Sequence, residues 1–235
     1  MKTTAPNLIR WSGISAMVAG ILFVLVGVAH PPNTPSSVTT GTWAIVHALT
    51  LAVSFVGLLG IAGIYARQVE EAGLLGLAGL LLFSLWLVLV PGFTFFEAAI
   101  LPLLASDAPT FAEGFLGIFT GAANQRSFGT LATIWSLLGP LYIFGPLLFG
   151  IATLRAGILS CWAAGLFGFG AVSSVAFALL PQALEPLATV PVGIGLAWLG
   201  YALWSERREP ASDPVPGRAA PAVSRAVVAT RAGDA

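Results

Sequence analysis

The chain has 235 residues, of which 57% are hydrophobic and only 9% charged, and its formal net charge is zero. A soluble domain carries about 25% charged residues, so this chain lacks the polar surface to cover a water-facing globule. The absence of a basic stripe excludes nucleic acid as a partner, and a single cysteine, Cys161, excludes an internal disulfide or a cysteine-cluster metal site.

The apolar residues fall in blocks long enough to cross a bilayer. Six spans are predicted, roughly Trp11 to Ala29, Thr42 to Ala66, Gly73 to about Phe96, Phe128 to Leu154, Gly157 to Leu180 and Leu187 to Ser205. Each is predicted helical, because hydrocarbon offers no partner to an open strand. Pro91 kinks or ends the third span, and Gly92 to Leu104 either continues it or lies along the interface. The fold class is therefore all-α: a polytopic membrane bundle over residues 1–205, followed by a disordered cytoplasmic tail over 206–235, where Pro, Arg, acids and Ala show no apolar periodicity.

The first span has the flanks of a signal peptide, with a small-x-small site at Gly27-Val28-Ala29, but its apolar stretch is long for one and it is read as retained. With the N-terminus inside, nine of the ten basic residues lie on the cytoplasmic side and only Arg126 outside. That bias predicts both termini in the cytoplasm of a bacterial plasma membrane, with the lipid bilayer as the constant partner. Trp11, Tyr65, Tyr201 and Trp204 are expected at the inner interface and Trp43 at the outer one.

Spans one, three and five open alike: GISAMVAGILF (13–23), GLLGLAGLLLF (73–83) and GILSCWAAGLF (157–167). Spans two and four align without a gap from Gly41/Gly129 through Gly57/Gly145 to Arg67/Arg155. The pattern predicts three tandem helical hairpins, with Gly13, Gly73 and Gly157 in equivalent places. Such repeats are frequent in proteins that move solutes, though a duplicated scaffold would show the same pattern. The small-xxx-small pairs Ala16/Gly20, Ala164/Gly168 and Gly193/Ala197 are expected to pack helices within the chain, with homo-oligomerisation as the alternative use. Between the third and fourth spans, Phe115 to Phe119 is an apolar stretch that either lies on the outer membrane surface or folds over the bundle as a lid.

No HExxH, P-loop, GxSxG or CxxC pattern occurs, no catalytic residue is assigned, and no cofactor is expected. The candidate ligand-binding residues are His47, Glu97 and His30, which fall near the outer ends of the first three spans. An ionisable group at membrane depth is costly, so it is by default a functional hypothesis. The three could meet as a proton-exchanging or metal-binding group; alternatively His30 and Glu97 simply face water. A haem held by His30 and His47 is conceivable but has no supporting motif. Pro140 and Pro146 in the fourth span free the carbonyls of Ser136 and Tyr142, which adds Ser136 and Tyr142 as polar lining if the helix breaks there. The alternative is a kink repaired by neighbours.

The AHPP end of the first span, the WAIVH start of the second and its GIYARQ exit resemble the small multi-pass membrane proteins common in bacterial genomes. That resemblance implies a helical membrane domain and carries no activity and no functional residue. The expected function is small-solute or ion transport or membrane sensing. The alternatives are a non-catalytic subunit binding another membrane protein and a membrane enzyme using His47 and Glu97.

Overall fold

The computed structural model describes residues 4–121 and 128–206, and every regular element among them is a helix. The helices are α1 (Ala5–Ala29), α2 (Pro35–Val38), α3 (Gly41–Arg67), α4 (Val69–Phe95), α5 (Leu101–Asp107), α6 (Pro109–Thr120), α7 (Thr130–Ala156), α8 (Cys161–Val172), α9 (Ser174–Phe177) and α10 (Thr189–Ser205). A π-helical turn, Phe96–Ile100, joins α4 to α5, and a 3-10 turn, Gln182–Ala188, leads into α10. Arg126 and the tail from residue 207 lie outside the described residues.

Five stretches are long and apolar enough to cross a membrane: Ala5–Ala29, Gly41–Arg67, Val69–Asp107, Thr130–Ala156 and Leu184–Ser205. The chain is thus a multi-pass membrane protein by length and hydropathy. The expected fifth span departs from a single helix over Gly157 to Leu180. Its apolar helix begins at Cys161 and is interrupted near Ser173. There the Ser173 and Ser174 hydroxyls each donate to a carbonyl three residues back, at Gly170 and Ala171, both at 2.6 Å. Such local bonds compete with the helical ladder. The third stretch, by contrast, runs past Pro91 and continues through the π-turn to Asp107.

The long helices pack in chain order, and the last returns to the first. α1 lies between α10 and α3, α3 meets α4, α4 meets α7, α7 meets α8, and α8 meets α10. Small residues allow this closeness. A Cβ on Gly60 would fall 2.6 Å from the Cα of Ala16, and one on Gly150 would fall 2.7 Å from the Ala164 carbonyl. Gly193 meets the Gly20 carbonyl in the same way. All three small-xxx-small pairs are therefore used within the chain.

Two of the aligned glycines share a positive φ but not a conformation, with ψ −149° at Gly73 and 12° at Gly157. Gly73 and Gly157 both turn the chain at positive φ, 52° and 67°. Gly13 does not: it sits inside α1 against the backbone of Gly200 and Trp204. The phenylalanines closing the three aligned segments, Phe23, Phe83 and Phe167, are all buried. Phe83 and Phe167 meet edge to face with centroids 5.5 Å apart, and Trp86 stacks on both Phe23 and Phe83 at 5.8 Å.

One end of the bundle carries Arg10, Arg67 and Arg155. Here Arg67 pairs with Glu206, and the Arg10 guanidinium lies over the Trp204 ring at 5.6 Å, tying the ends of α1 and α3 to α10. Trp11 and Tyr201 are exposed at this end, as interfacial anchors should be. At the opposite end α6 folds over the bundle. Phe115 packs on Phe96 with centroids 4.5 Å apart, and Phe119 packs on Trp135 at 4.5 Å, so the Phe115–Phe119 stretch is a cover and not a surface float. Trp43 was expected at the interface. It is fully buried instead, because its ring finds partners inside the bundle.

Candidate functional site

A cavity of about 670 Å³ opens toward the end opposite the arginines, and His30, His47, Glu97, Ser136 and Tyr142 all line it. That size is typical of a small-molecule site.

Glu97 reaches the cavity through helical periodicity. The inner stripe of α4 runs Phe83, Leu87, Val90, Thr94, and its continuation through the π-turn places Glu97 next. On α3 the inward face carries His47, Thr50 and Ser54, one polar residue per turn. The Thr50 hydroxyl donates to Val46 O at 3.0 Å and that of Ser54 to Thr50 O at 3.2 Å. Their donors are thereby spent on the helix, and their oxygen lone pairs remain for the cavity.

His47 is held from two sides. Its Nδ1 is 2.7 Å from the Trp43 carbonyl. A carbonyl only accepts, so this nitrogen carries the proton and donates. The ring also lies on Trp43, with centroids 4.2 Å apart. Nε2 is thus the nitrogen left to the cavity, and it faces Glu97 Oε2 at 3.5 Å. Trp43 fixes the other half of the pair, since its Nε1–H donates to the Glu97 carbonyl at 2.8 Å. The Thr40 hydroxyl in turn accepts from Trp43 N and caps α3. One indole therefore sets the distance between the imidazole and the carboxyl.

His30 repeats the arrangement at the rim. Its Nδ1 donates to Pro31 O at 2.8 Å, and its ring stands 5.4 Å from that of His47. Its Nε2 is also free of backbone. Among the described residues no three His, Cys, Asp or Glu side chains are disposed to hold a metal ion.

Ser136 and Tyr142 line the wall, though not through a broken helix. α7 is a single helix through Pro140 and Pro146. Ser136 Oγ donates to Thr133 O at 2.7 Å, and the buried Tyr142 hydroxyl points across to Ala188 O at 3.4 Å. The helix is unbroken at both prolines, and Ser136 and Tyr142 contribute side chains to the lining.

Sequence reasoning missed Trp43 as the organiser, Thr50, Ser54 and Thr94 as lining, and Glu185 at the rim. The signal for Thr50, Ser54 and Thr94 was present in the i, i+3/i+4 spacing from His47 and before Glu97. Trp135, which aligns with His47 in the repeat, also lines the cavity. Comparison with protein-family models, with curated proteins and with solved structures finds no match for the chain.

Proposed function

We propose that this is a six-span membrane protein built from three tandem hairpins, α1/α3, α4/α7 and α8/α10, with both termini cytoplasmic. Its outer half carries a ligand site centred on His47 and Glu97. The interrupted α8–α9 segment serves as the fifth span. The site serves small-solute transport or membrane sensing. The observation that carries the reading is convergence: residues from α1, α3, α4 and α7, distant in sequence and among the few polar groups of the apolar spans, line one cavity. Ionisable groups at membrane depth seldom persist without a role. A non-catalytic subunit has no need of a lined cavity. The His47–Glu97 pair has His30 beside it, but no catalytic motif in the sequence favours the enzyme reading.

The test is thermal unfolding of the purified protein against a panel of small neutral, cationic and anionic solutes. At least one class should raise the unfolding temperature of the wild type and leave His47→Ala unmoved. If no class shifts either protein and a membrane protein co-purifies at fixed ratio, the subunit reading replaces this one.

A further inference from the structure

The cavity has a direction. Its imidazoles and carboxyls, His30, His47, Glu97 and Glu185, lie toward one end, the hydroxyls of Thr50 and Ser54 follow along α3, and the rings of Phe23, Trp86 and Tyr142 lie at the other end. His47 is twenty residues from Arg67, roughly 30 Å along α3 at 1.5 Å per residue. That is about the thickness of the hydrocarbon core. The polar end therefore lies level with one membrane boundary, and the aromatic end points toward the midplane. A lipid in that leaflet has the same polarity along the same axis.

The cavity also has a side opening. α8 has 12 residues and stops at Val172, whereas its neighbour α7 has 27. Beyond Val172 the chain bends through Ser173 and Ser174, so the first turns of α7 outrun their neighbour. Ser136 and Gly139 on α7 and Ala178 after α9 line the cavity and are themselves exposed. The surface around the gap is apolar: Leu137 is 53% exposed, Val175 55% and Leu179 85%. Gly139 is sixteen residues from Arg155, roughly 24 Å along α7, which sets the gap within the hydrocarbon and not at its edge.

The head-group chemistry is narrow. No Arg or Lys lines the cavity among the described residues, while two carboxyls, Glu97 and Glu185, do. An anionic head would find no fixed counter-charge and would face carboxyls. The two imidazoles have committed their Nδ1 protons to backbone and offer Nε2 lone pairs, and Glu97 offers oxygen, so this end accepts hydrogen bonds and suits a head that donates one, a hydroxyl.

We propose, resting on the ligand-site reading above, that the cavity takes an uncharged single-chain amphiphile directly from the surrounding leaflet. The chain enters between α7 and α9, and a hydroxyl head donates to His47 and Glu97. The experiment is photolabelling in phosphatidylcholine vesicles with a diazirine-tailed monoacylglycerol, adducts being mapped by peptide mass spectrometry. The same tail on an alkyl sulfate is the anionic arm. Adducts are expected at Trp86, Tyr142 and Phe177 with the neutral probe, and several-fold fewer with the sulfate. Gly139→Trp narrows the gap at a position where an added Cβ meets no atom within 4 Å, and circular dichroism together with the Leu74 adducts checks that the variant is folded. It should lose cavity adducts while adducts at the lipid-facing Leu74 persist. Equal cavity labelling by the sulfate overturns the head-group assignment, and unchanged labelling in Gly139→Trp overturns the lateral route. A His47-dependent thermal shift with a water-soluble solute, together with adducts only on outward positions, overturns this proposal and leaves the ligand site standing. Absence of both sinks the two together.

Discussion

Replacing His47 by Leu removes one partner of a buried pair and leaves the other in place. The Glu97 carboxyl, held at 8% exposure by the π-turn and the Trp43 indole, loses the Nε2 that faces it. Breaking a buried pair from one side costs about 3–5 kcal/mol, and the low end applies because the pair borders a cavity that water can enter. Loss of the bond to Trp43 O adds about 1 kcal/mol, so His47→Leu should cost about 4 kcal/mol in all. Glu97→Leu leaves the imidazole still bonded to Trp43 O, and should cost about 1–2 kcal/mol. The double variant puts two apolar side chains against each other in place of two polar ones, a change that is often near neutral. It should therefore be more stable than His47→Leu alone, with a coupling of about 2 kcal/mol or more. The assay is a double-mutant cycle from SDS-induced unfolding in mixed micelles, followed by circular dichroism. If the single effects add to the double within about 0.5 kcal/mol, the two side chains do not face each other in the folded protein, and the site as described is refuted.

Gly145→Ala should destabilise by about 1–3 kcal/mol, since its Cβ would fall 2.6 Å from the backbone nitrogen of Phe83, which cannot step aside as a flexible side chain would; Gly139→Ala on the same helix meets nothing within 4 Å and should be neutral or slightly stabilising in the same thermal assay. Topology reporters fused at Pro35, Gln68, Asp107 and the C-terminus should read outside, inside, outside and inside, because nine of the ten basic residues then lie in the cytoplasm; an outside C-terminus would remove the sixth span.

The helical membrane class was legible from composition and block length alone. So was much of the site, because few residues in the apolar spans can act on a polar ligand, and helical periodicity turns Glu97 to the face already used by Phe83, Leu87 and Val90. What was illegible has a common cause. Trp43 sits at a helix end beside a Thr cap, where an indole serves equally well as an interfacial anchor or a buried clamp. The choice depends on a carbonyl presented by the π-turn of another segment, fifty-four residues away. The break in the fifth span rests on two adjacent serines turning their hydroxyls back onto the helix, whereas Ser54 and Thr50 do the same in α3 and leave it whole. Propensity does not separate these cases. The aligned glycines mislead for a related reason: in α1 the helix already runs through Gly13, while at Gly73 and Gly157 the chain is turning, and one residue type suits both.

The aromatic cluster where Phe23, Phe83 and Phe167 gather has a consequence for traffic through the molecule. Phe23 and Trp86 line the cavity and lean on this cluster, and beyond it toward the arginine end helices approach closely where Gly60 meets Ala16 and Gly150 meets Ala164. Emptying the cavity toward the arginine end would require the rings to swing apart and close-packed helices such as α1 and α3 to separate, exposing glycine backbone to whatever passes. On the proposed lipid-binding reading, a cavity that fills and empties on one side would report the contents of one leaflet. A carrier must spend part of its cycle with these three rings dispersed, and that state would betray itself as a second environment for Trp86, which stacks on two of them.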